Sequence, residues 1–399
     1  MKIVHFSHVP IPEDAVRQYH AMNTHPGRWA LNHAIAQKNA GMDVEVVTIA
    51  HKASCDFIRE IDGVRVHFLR TFYPYRHLTF YAVDQFRMAR YAKKLSPDLI
   101  HAHGTENVFG LAAIRTGLPF CVTAQGLMFQ IFPTLDHRPS IHYRAIKVME
   151  DYVWKRTRYA IAKSEYVSDA LAEKYPHLAL SLIPNTYQAE LDPGLEEGRA
   201  LDGQARGHSL VFVGTVDERK GVHLIADALE EVVKRYPDTA LHLVGNHTTD
   251  DAPDFASRND YEAMQIRRLR SMLGERLVLH GRVLPIALFR ILDGCAAILA
   301  PSLEEMFGNQ LIEGLMRGCH GIVTDQTALA ENVRRFGNGT IVPQKDSTAL
   351  VKAICDLFSS PRTVAQAEAA QNAIRNYMSP VAVAEKHRLL YERILRQKS

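Results

Sequence analysis

An alternation that runs through almost the whole chain constrains its fold more than any other feature. Short apolar runs at Ile3–Phe6, Val44–Ile49, Val64–Leu69, Leu99–His101, Phe120–Thr123, Tyr159–Ala162 and Leu182–Pro184 read as strands. Amphipathic stretches at Arg28–Asn39, Phe80–Lys94, Tyr143–Trp154 and Tyr166–Lys174 lie between them and read as helices. Strands apolar along their whole length are buried on both faces, and helices between them cover both sides of a parallel sheet through right-handed crossovers. Residues 1–187 are therefore predicted to form one doubly wound α/β domain. Residues 188–207 carry Pro193, Gly194, Gly198, Gly203 and Gly207 among charges and read as a linker. The alternation then restarts. Leu210–Val213, Ala240–Val244, Leu277–Leu279, Ala296–Leu299 and Gly321–Thr324 predict a second sheet, with helices near Val222–Lys234, Ser347–Phe358 and Val364–Tyr377, in a domain spanning 208–378. A last helix near Pro380–Leu395 closes the chain. Two domains suit 399 residues at roughly 100–200 residues each.

Ligands of such sheets bind outside the carboxyl ends of the strands. Two sheets in sequence suggest a site shared between two rims that face each other across a cleft. The second rim has the more telling residues. Directly after the run Ala296–Leu299 comes Pro301-Ser302-Leu303-Glu304-Glu305-Met306-Phe307-Gly308-Asn309-Gln310, and then Glu313. Gly308 permits an unusual backbone dihedral or a close approach. Asn309–Arg317 reads as a short helix whose N-terminal amides and positive dipole end make a ready anion site. Glu305 precedes that helix and Glu313 lies inside it, so the two carboxylates could reach hydroxyl groups on either side of a bound diphosphate. Glutamates near a helix start are by themselves commonly just solvated partners of the dipole; the strand, the Pro-Ser and the Phe-Gly around them favour a site.

At this point the sequence resembles the retaining glycosyltransferases of family 4, which have the two-Rossmann GT-B fold. Glu305-Met306-Phe307-Gly308 with Glu313 is similar to their E-x7-E signature. Pro97–His103, Ile183-Pro184-Asn185, Val211–Gly214 with Lys220-Gly221, Pro301-Ser302 and the last helix with Tyr391 resemble further family segments in the family order. The resemblance covers nearly the whole chain and implies that the second domain binds a nucleotide-sugar and the first an acceptor, with the last helix packing back on the first domain. Carried over residue by residue, Glu313 holds the ribose and Glu305 touches the donor sugar. Gly214, Met306, Phe307, Gly308, Asn309 and Gln310 line the donor, and Lys220 neutralises the diphosphate as it leaves. A fixed cation acts most where negative charge grows in the transition state. A lysine opening a helix also works against the dipole, which favours a functional role over a solvated one.

The sequence departs from the family pattern in four places. Thr215 follows Gly214 where the family carries an arginine, with Arg219 as the nearby substitute. Val122–Gly126 matches a strand that commonly ends in His-Gly but has Gln125 there. Glutamine can hydrogen-bond a hydroxyl but does not titrate near neutrality. The glycine pair of the first domain is reduced to Gly27 beside Arg28, and the loop usually written Gly-Gly-x-x-Glu is Thr327–Glu331. Gly27, Arg28, His103 and Gln125 are the acceptor-side candidates, and Gln125 is also a catalytic candidate with Lys220 and Glu305.

His101 and His103 form a His-x-His pair, but a metal site needs more ligands and a second shell. The bland reading is that they pack the rim. No Asp-x-Asp occurs, which speaks against the cation-dependent fold of other glycosyltransferases, so neither metal nor cofactor is expected. The basic and aromatic stretch 75–94 is either a helix covering the sheet or a segment suited to an anionic membrane surface. A net charge of +3 gives no argument for nucleic acid. Cys55, Cys121, Cys295, Cys319 and Cys355 are scattered and odd in number, as free thiols in a reducing compartment are. With no leader-like start and no long apolar run, a cytoplasmic protein is expected, in part peripheral to a membrane. The expected activity is transfer of a hexose-type sugar from a nucleotide-sugar, by default a UDP-sugar, to a glycan or lipid-linked glycan in surface polysaccharide or glycolipid biosynthesis. An epimerase or phosphorylase on the same fold, or a non-catalytic nucleotide- or glycan-binding relative, is the alternative.

Overall fold

The computed structural model describes residues 1–9, 28–51, 53–71, 79–134, 141–187, 206–245 and 260–397. These separate into two compact units; the first takes in the N-terminal half of the chain and returns for the C-terminal segment from Met378, and the second extends to Tyr377. Apart from Arg206 and Gly207, the predicted linker lies outside the described residues.

The first unit is built on β1 (Lys2–Phe6), β2 (Asp43–His51), β3 (Phe57–Ile61), β4 (Val64–Thr71), β5 (Leu99–His103), β6 (Phe120–Thr123), β7 (Tyr159–Ala162) and β8 (Ala179–Leu182). Their order across the sheet is β3-β4-β2-β1-β5-β6-β7-β8. The second unit has β9 (Ser209–Val213), β10 (Ala240–Val244), β11 (Leu277–Gly281), β12 (Ala297–Ala300), β13 (His320–Thr324) and β14 (Gly339–Val342), in the order β11-β10-β9-β12-β13-β14. Every pairing in the second sheet is parallel. The order reverses between β1 and β5 in the first sheet and between β9 and β12 in the second, so each has a switch point where the connections leave to opposite faces.

Continuous burial explains the strands that the sequence marks most clearly: every residue of β5, β7, β12 and β13 is buried. Three local expectations are corrected. The last strand of the first sheet lies at Ala179–Leu182, ahead of Leu182–Pro184. β14 carries an intermediate burial pattern at a sheet edge and gives little apolar signal. The first sheet is also not purely parallel, because β3 pairs antiparallel with β4. Asp62 and Gly63 join those two strands with φ of 48° and 78°, the pair of positive dihedrals a two-residue hairpin turn of this hand requires. The Asp-Gly signal is present in the sequence, but the exposed face of β3 hides the strand before it.

The helix Arg28–Asn39 and the terminal helix Pro380–Arg396 both pack on the first unit. Val383, Ala384, Leu390, Tyr391 and Ile394 of the terminal helix join a core with Ile3, Leu31, Val44, Leu99 and Ile161. Arg206 is anchored in the second unit, where its guanidinium donates to the Cys295 carbonyl at 2.9 Å and the Arg317 carbonyl at 2.6 Å. No helix among the described residues is long and apolar enough to cross a membrane.

Candidate functional site

In the second unit, the loops after β9 and β12 meet at the switch point. Gly214 follows β9 and donates to the Val244 carbonyl at 2.8 Å. Thr215 is exposed, and its hydroxyl donates to Asp217 Oδ2 at 2.9 Å. Asp217 also accepts from the Lys220 amide at 2.9 Å and caps the short 3-10 turn Glu218–Lys220. The loop after β12 is fastened on several sides. The Leu303 amide donates to the Arg219 carbonyl at 2.7 Å and the Ala328 amide to the Glu305 carbonyl at 3.1 Å. Asn332 donates to the Phe307 carbonyl at 2.5 Å and Gln344 to the Leu303 carbonyl at 2.9 Å. Backbone groups held this way keep the loop's outward-facing side chains in fixed places.

Gly308 then opens the helix Asn309–Met316 at φ 81°. The left-handed dihedral there favours glycine, and a Cβ would also need the end of the Leu329 side chain to move aside. Met306 and Phe307 bury their side chains, which leaves backbone rather than side chain at the rim.

Lys220 and Glu305 meet here as an ion pair, 13% and 15% exposed, and Gln310 Nε2 donates to the same Glu305 oxygen at 3.1 Å. Burial pushes the Glu305 carboxyl up, but Lys220, Arg219 and the Gln310 amide more than offset it, and the group is held at about 2. It is a carboxylate at any ordinary pH. Glu304, 2% exposed, is driven the other way, to about 7, by burial and by the neighbouring Glu305 charge. Burial alone raises Glu313 to about 7. Arg219 donates to the Glu304 carbonyl at 3.1 Å, so it stands beside the Lys220–Glu305 pair with its guanidinium tied to the loop. The rim thus presents a fixed cation and a permanent carboxylate ahead of a helix N-terminus, with a carboxyl poised to ionise at Glu313 inside that helix. A diphosphate flanked by hydroxyl-bearing groups matches that order of charges.

The predicted residues of the first unit lie at its own rim. Gly27 is outside the described residues, and of Arg28 only the backbone, opening the helix Arg28–Asn39, is described. Gln125 follows β6, and its carbonyl oxygen accepts from the Lys163 ammonium. His103 is buried, with His5 Nδ1 at 2.8 Å from its Nε2. His101 lies between the Tyr391 hydroxyl at 2.7 Å and the Thr123 hydroxyl at 2.6 Å. His5, His101 and His103 offer nitrogens within 4.8 Å of one another, a spacing that could hold a metal ion. This third imidazole is invisible to a His-x-His reading, because it arrives from β1 through the register pairing of His5 with His101. Burial holds all three well below the usual imidazole range. The set carries no anion to balance a divalent charge, and the hydrogen bonds give neutral rings a role in packing.

Sequence reasoning missed Lys163, Glu304, Asn332 and Gln344. Lys163 had a signal: it comes directly after the apolar strand β7, at its carboxyl end. The other three become relevant only through tertiary contacts.

Comparison with known proteins agrees with this architecture. Residues 26–190 match the model described as Glycosyltransferase Family 4, and residues 207–360 match the one described as Glycosyl transferases group 1. A phosphatidyl-myo-inositol mannosyltransferase of Mycobacterium leprae is 29% identical over 219 residues, 53% of this chain and 53% of that protein. Its Mycobacterium tuberculosis counterpart is 29% identical over 159 residues, 39% of this chain and 38% of that one. The matches therefore span about two fifths to half of these relatives. Among solved structures, sucrose-phosphate synthase from Thermosynechococcus elongatus superposes with a TM-score of 0.78 at 19% identity, covering 100% of both chains. Anabaena HepE in complex with UDP and glucose gives 0.68 at 16% identity, over 98% of this chain and 99% of that one. At such identities the structural likeness concerns the fold.

Proposed function

The chain belongs to glycosyltransferase family 4, and from that premise we propose that it transfers a hexose-type sugar from a nucleotide-sugar to a glycan or lipid-linked glycan, with retention of configuration. The observation that carries this reading is the Lys220–Glu305–Gln310 cluster beside Gly308 at the switch point of the second sheet. Breaking the bond between sugar and diphosphate places negative charge on the leaving phosphate. Lys220 supplies a cation there, and the N-terminal amides of Asn309–Met316 supply dipoles, so stabilisation grows as the bond breaks. Glu305, ionised throughout, accepts hydrogen bonds from sugar hydroxyls. Glu313 accepts from the ribose. Front-face attack, with the departing phosphate taking the acceptor's proton, needs no enzymatic nucleophile and no metal.

UDP is the first carrier to test. The mannosyltransferase relatives make mannose a natural sugar and a lipid-linked acceptor a natural target for the screen. Exposed Phe80 just ahead of the basic helix Ala82–Lys94, and exposed Val83 and Phe86 on it, support docking on an anionic membrane surface. The test is calorimetric titration with UDP, GDP and ADP, without metal, on wild type, Lys220→Ala and Glu313→Ala. Tight binding of one nucleotide, weakened by both substitutions, is expected. Folded wild-type protein that binds none of the three would refute the reading.

A further inference from the structure

The loop after β9 carries two cations, Arg219 and Lys220, and both are engaged within the protein. Arg219 donates to the Glu304 carbonyl at 3.1 Å and lies 3.8 Å from Asp217 Oδ2. Lys220 pairs with Glu305, which arrives from the loop after β12. The Lys220 ammonium and the Gln310 amide both donate to one oxygen of that carboxylate, Oε2, and Oε1 is in neither contact.

This pairing sets two ligands against each other. At 13% and 15% exposure the pair is largely shielded from water, so a charge that loses its partner there is poorly compensated. A diphosphate that draws Lys220 toward itself takes the counter-ion from Glu305 and adds a like charge beside it. A free nucleoside diphosphate does so most strongly, because it ends in a phosphate monoester, which carries more negative charge near neutrality than the doubly esterified diphosphate of a nucleotide-sugar. Sugar hydroxyls reverse the balance. They donate to a carboxylate, which only accepts, and so stand in for the ammonium that Glu305 has lost. A nucleotide-sugar brings both the anion for Lys220 and the donors for Glu305; the free nucleotide brings the anion alone.

On the transferase reading, we propose that Glu305 sets substrate above product. By holding Lys220 until sugar hydroxyls replace it, Glu305 weakens binding of the free nucleoside diphosphate and strengthens binding of the nucleotide-sugar. Discrimination is a difference of affinities, and here one carboxylate supplies both the attraction and the repulsion. When the sugar leaves with the acceptor, Glu305 loses its hydroxyl donors and reclaims Lys220, which speeds release of the nucleotide.

The test is calorimetry on the full chain with UDP and UDP-glucose, GDP and GDP-mannose, and ADP and ADP-glucose, for wild type, Glu305→Gln and Glu305→Ala. In wild type, one conjugate should bind about tenfold more tightly than its own nucleotide, the worth of one or two added hydrogen bonds to a charged group. Glu305→Gln keeps the size of the side chain and removes its charge. The nucleotide should then bind about three- to tenfold more tightly and the conjugate about tenfold more weakly, so that the preference inverts. A general loss of packing weakens both ligands and does not produce opposite signs. Glu305→Ala should shift the two in the same opposite directions and serves where Glu305→Gln does not fold. A nucleotide affinity that is unchanged or lower in both variants, the same direction of change for both ligands, or a wild type that binds no conjugate more tightly than its nucleotide overturns the inference. Nucleotide binding that fails to tighten sinks this inference alone, whereas folded wild type that binds none of the six ligands sinks the transferase reading with it.

Discussion

Replacing Glu313 by glutamine should flatten the pH dependence of nucleotide-sugar binding. Burial raises the Glu313 carboxyl to about 7, so the unliganded protein carries it protonated in acid and ionised in mild alkali. Ribose hydroxyls donate to the ionised form, and ligand binding therefore releases a proton whenever the free carboxyl is protonated. Affinity is full above about 7 and falls toward tenfold per pH unit below it, until the carboxyl of the complex itself protonates. Between about pH 8 and pH 5.5 a single group with that pKa gives a loss of about 30-fold. The assay is calorimetry across that interval with the nucleotide-sugar whose nucleotide binds best, because its diphosphate is doubly esterified and does not titrate there. Glu304 stands at about 7 as well, so Glu304→Gln is measured alongside and should leave the Glu313-linked slope in place. An identical pH dependence in wild type and Glu313→Gln, or binding that tightens as pH falls, would refute the assignment of Glu313 to the ribose.

Three further outcomes are expected. Lys220→Ala should lower kcat by a factor on the order of 10²–10³, the usual loss when a group stabilising transition-state charge is removed; turnover within about threefold of wild type would remove Lys220 from that role. Gly308→Ala should destabilise the second unit by about 2–4 kcal/mol, from the positive φ and from the clash with Leu329, and Leu329→Ala in the same chain should recover part of it; denaturant midpoints measure both. Acid should loosen the first unit before the second, because among the described residues burial lowers five imidazoles in the first, His5 to about 3, His387 to about 4 and His33, His101 and His103 well below their usual range, against three in the second, His320, His242 and His280, of which only His320 is almost fully buried. These rings are neutral in the native state, while unfolded imidazoles take up protons below about 6.5, so stability is full above that pH. It drops by about 1.4 kcal/mol per pH unit for each imidazole as pH falls toward the folded value. Hydrogen exchange in the two units at pH 7 and about pH 5 checks this, and equal protection at both would contradict it.

The doubly wound architecture was legible because its signal is local and repeated. A central parallel strand is apolar along its length, and Tyr159–Ala162 and Ala297–Ala300 carry that mark without help from their neighbours in space. The signature around Glu305 was legible for a related reason. A strand end, a glycine turn and a helix start follow one another in the chain, so their chemistry is contiguous. The edge strands Phe57–Ile61 and Gly339–Val342 were not, since a strand with an exposed face has no continuous apolar run to announce it.

What lies between elements escaped the sequence altogether. Glu304 and Glu313 came to about 7, and Glu305 to about 2, through burial and through a lysine far away in the chain; residue types alone give all three the same ordinary value. Lys163 gained its meaning from Gln125, and His5 from His101 and His103, through sheet register. The sequence by itself determined the central strands, their parallel winding and the rim that holds the signature, because those follow from local periodicity and turn chemistry. Only the tertiary structure decided which carboxyls are ionised, which cations are paired and which histidines are sealed, because charge and hydrogen bonding depend on distances between residues that the chain keeps far apart.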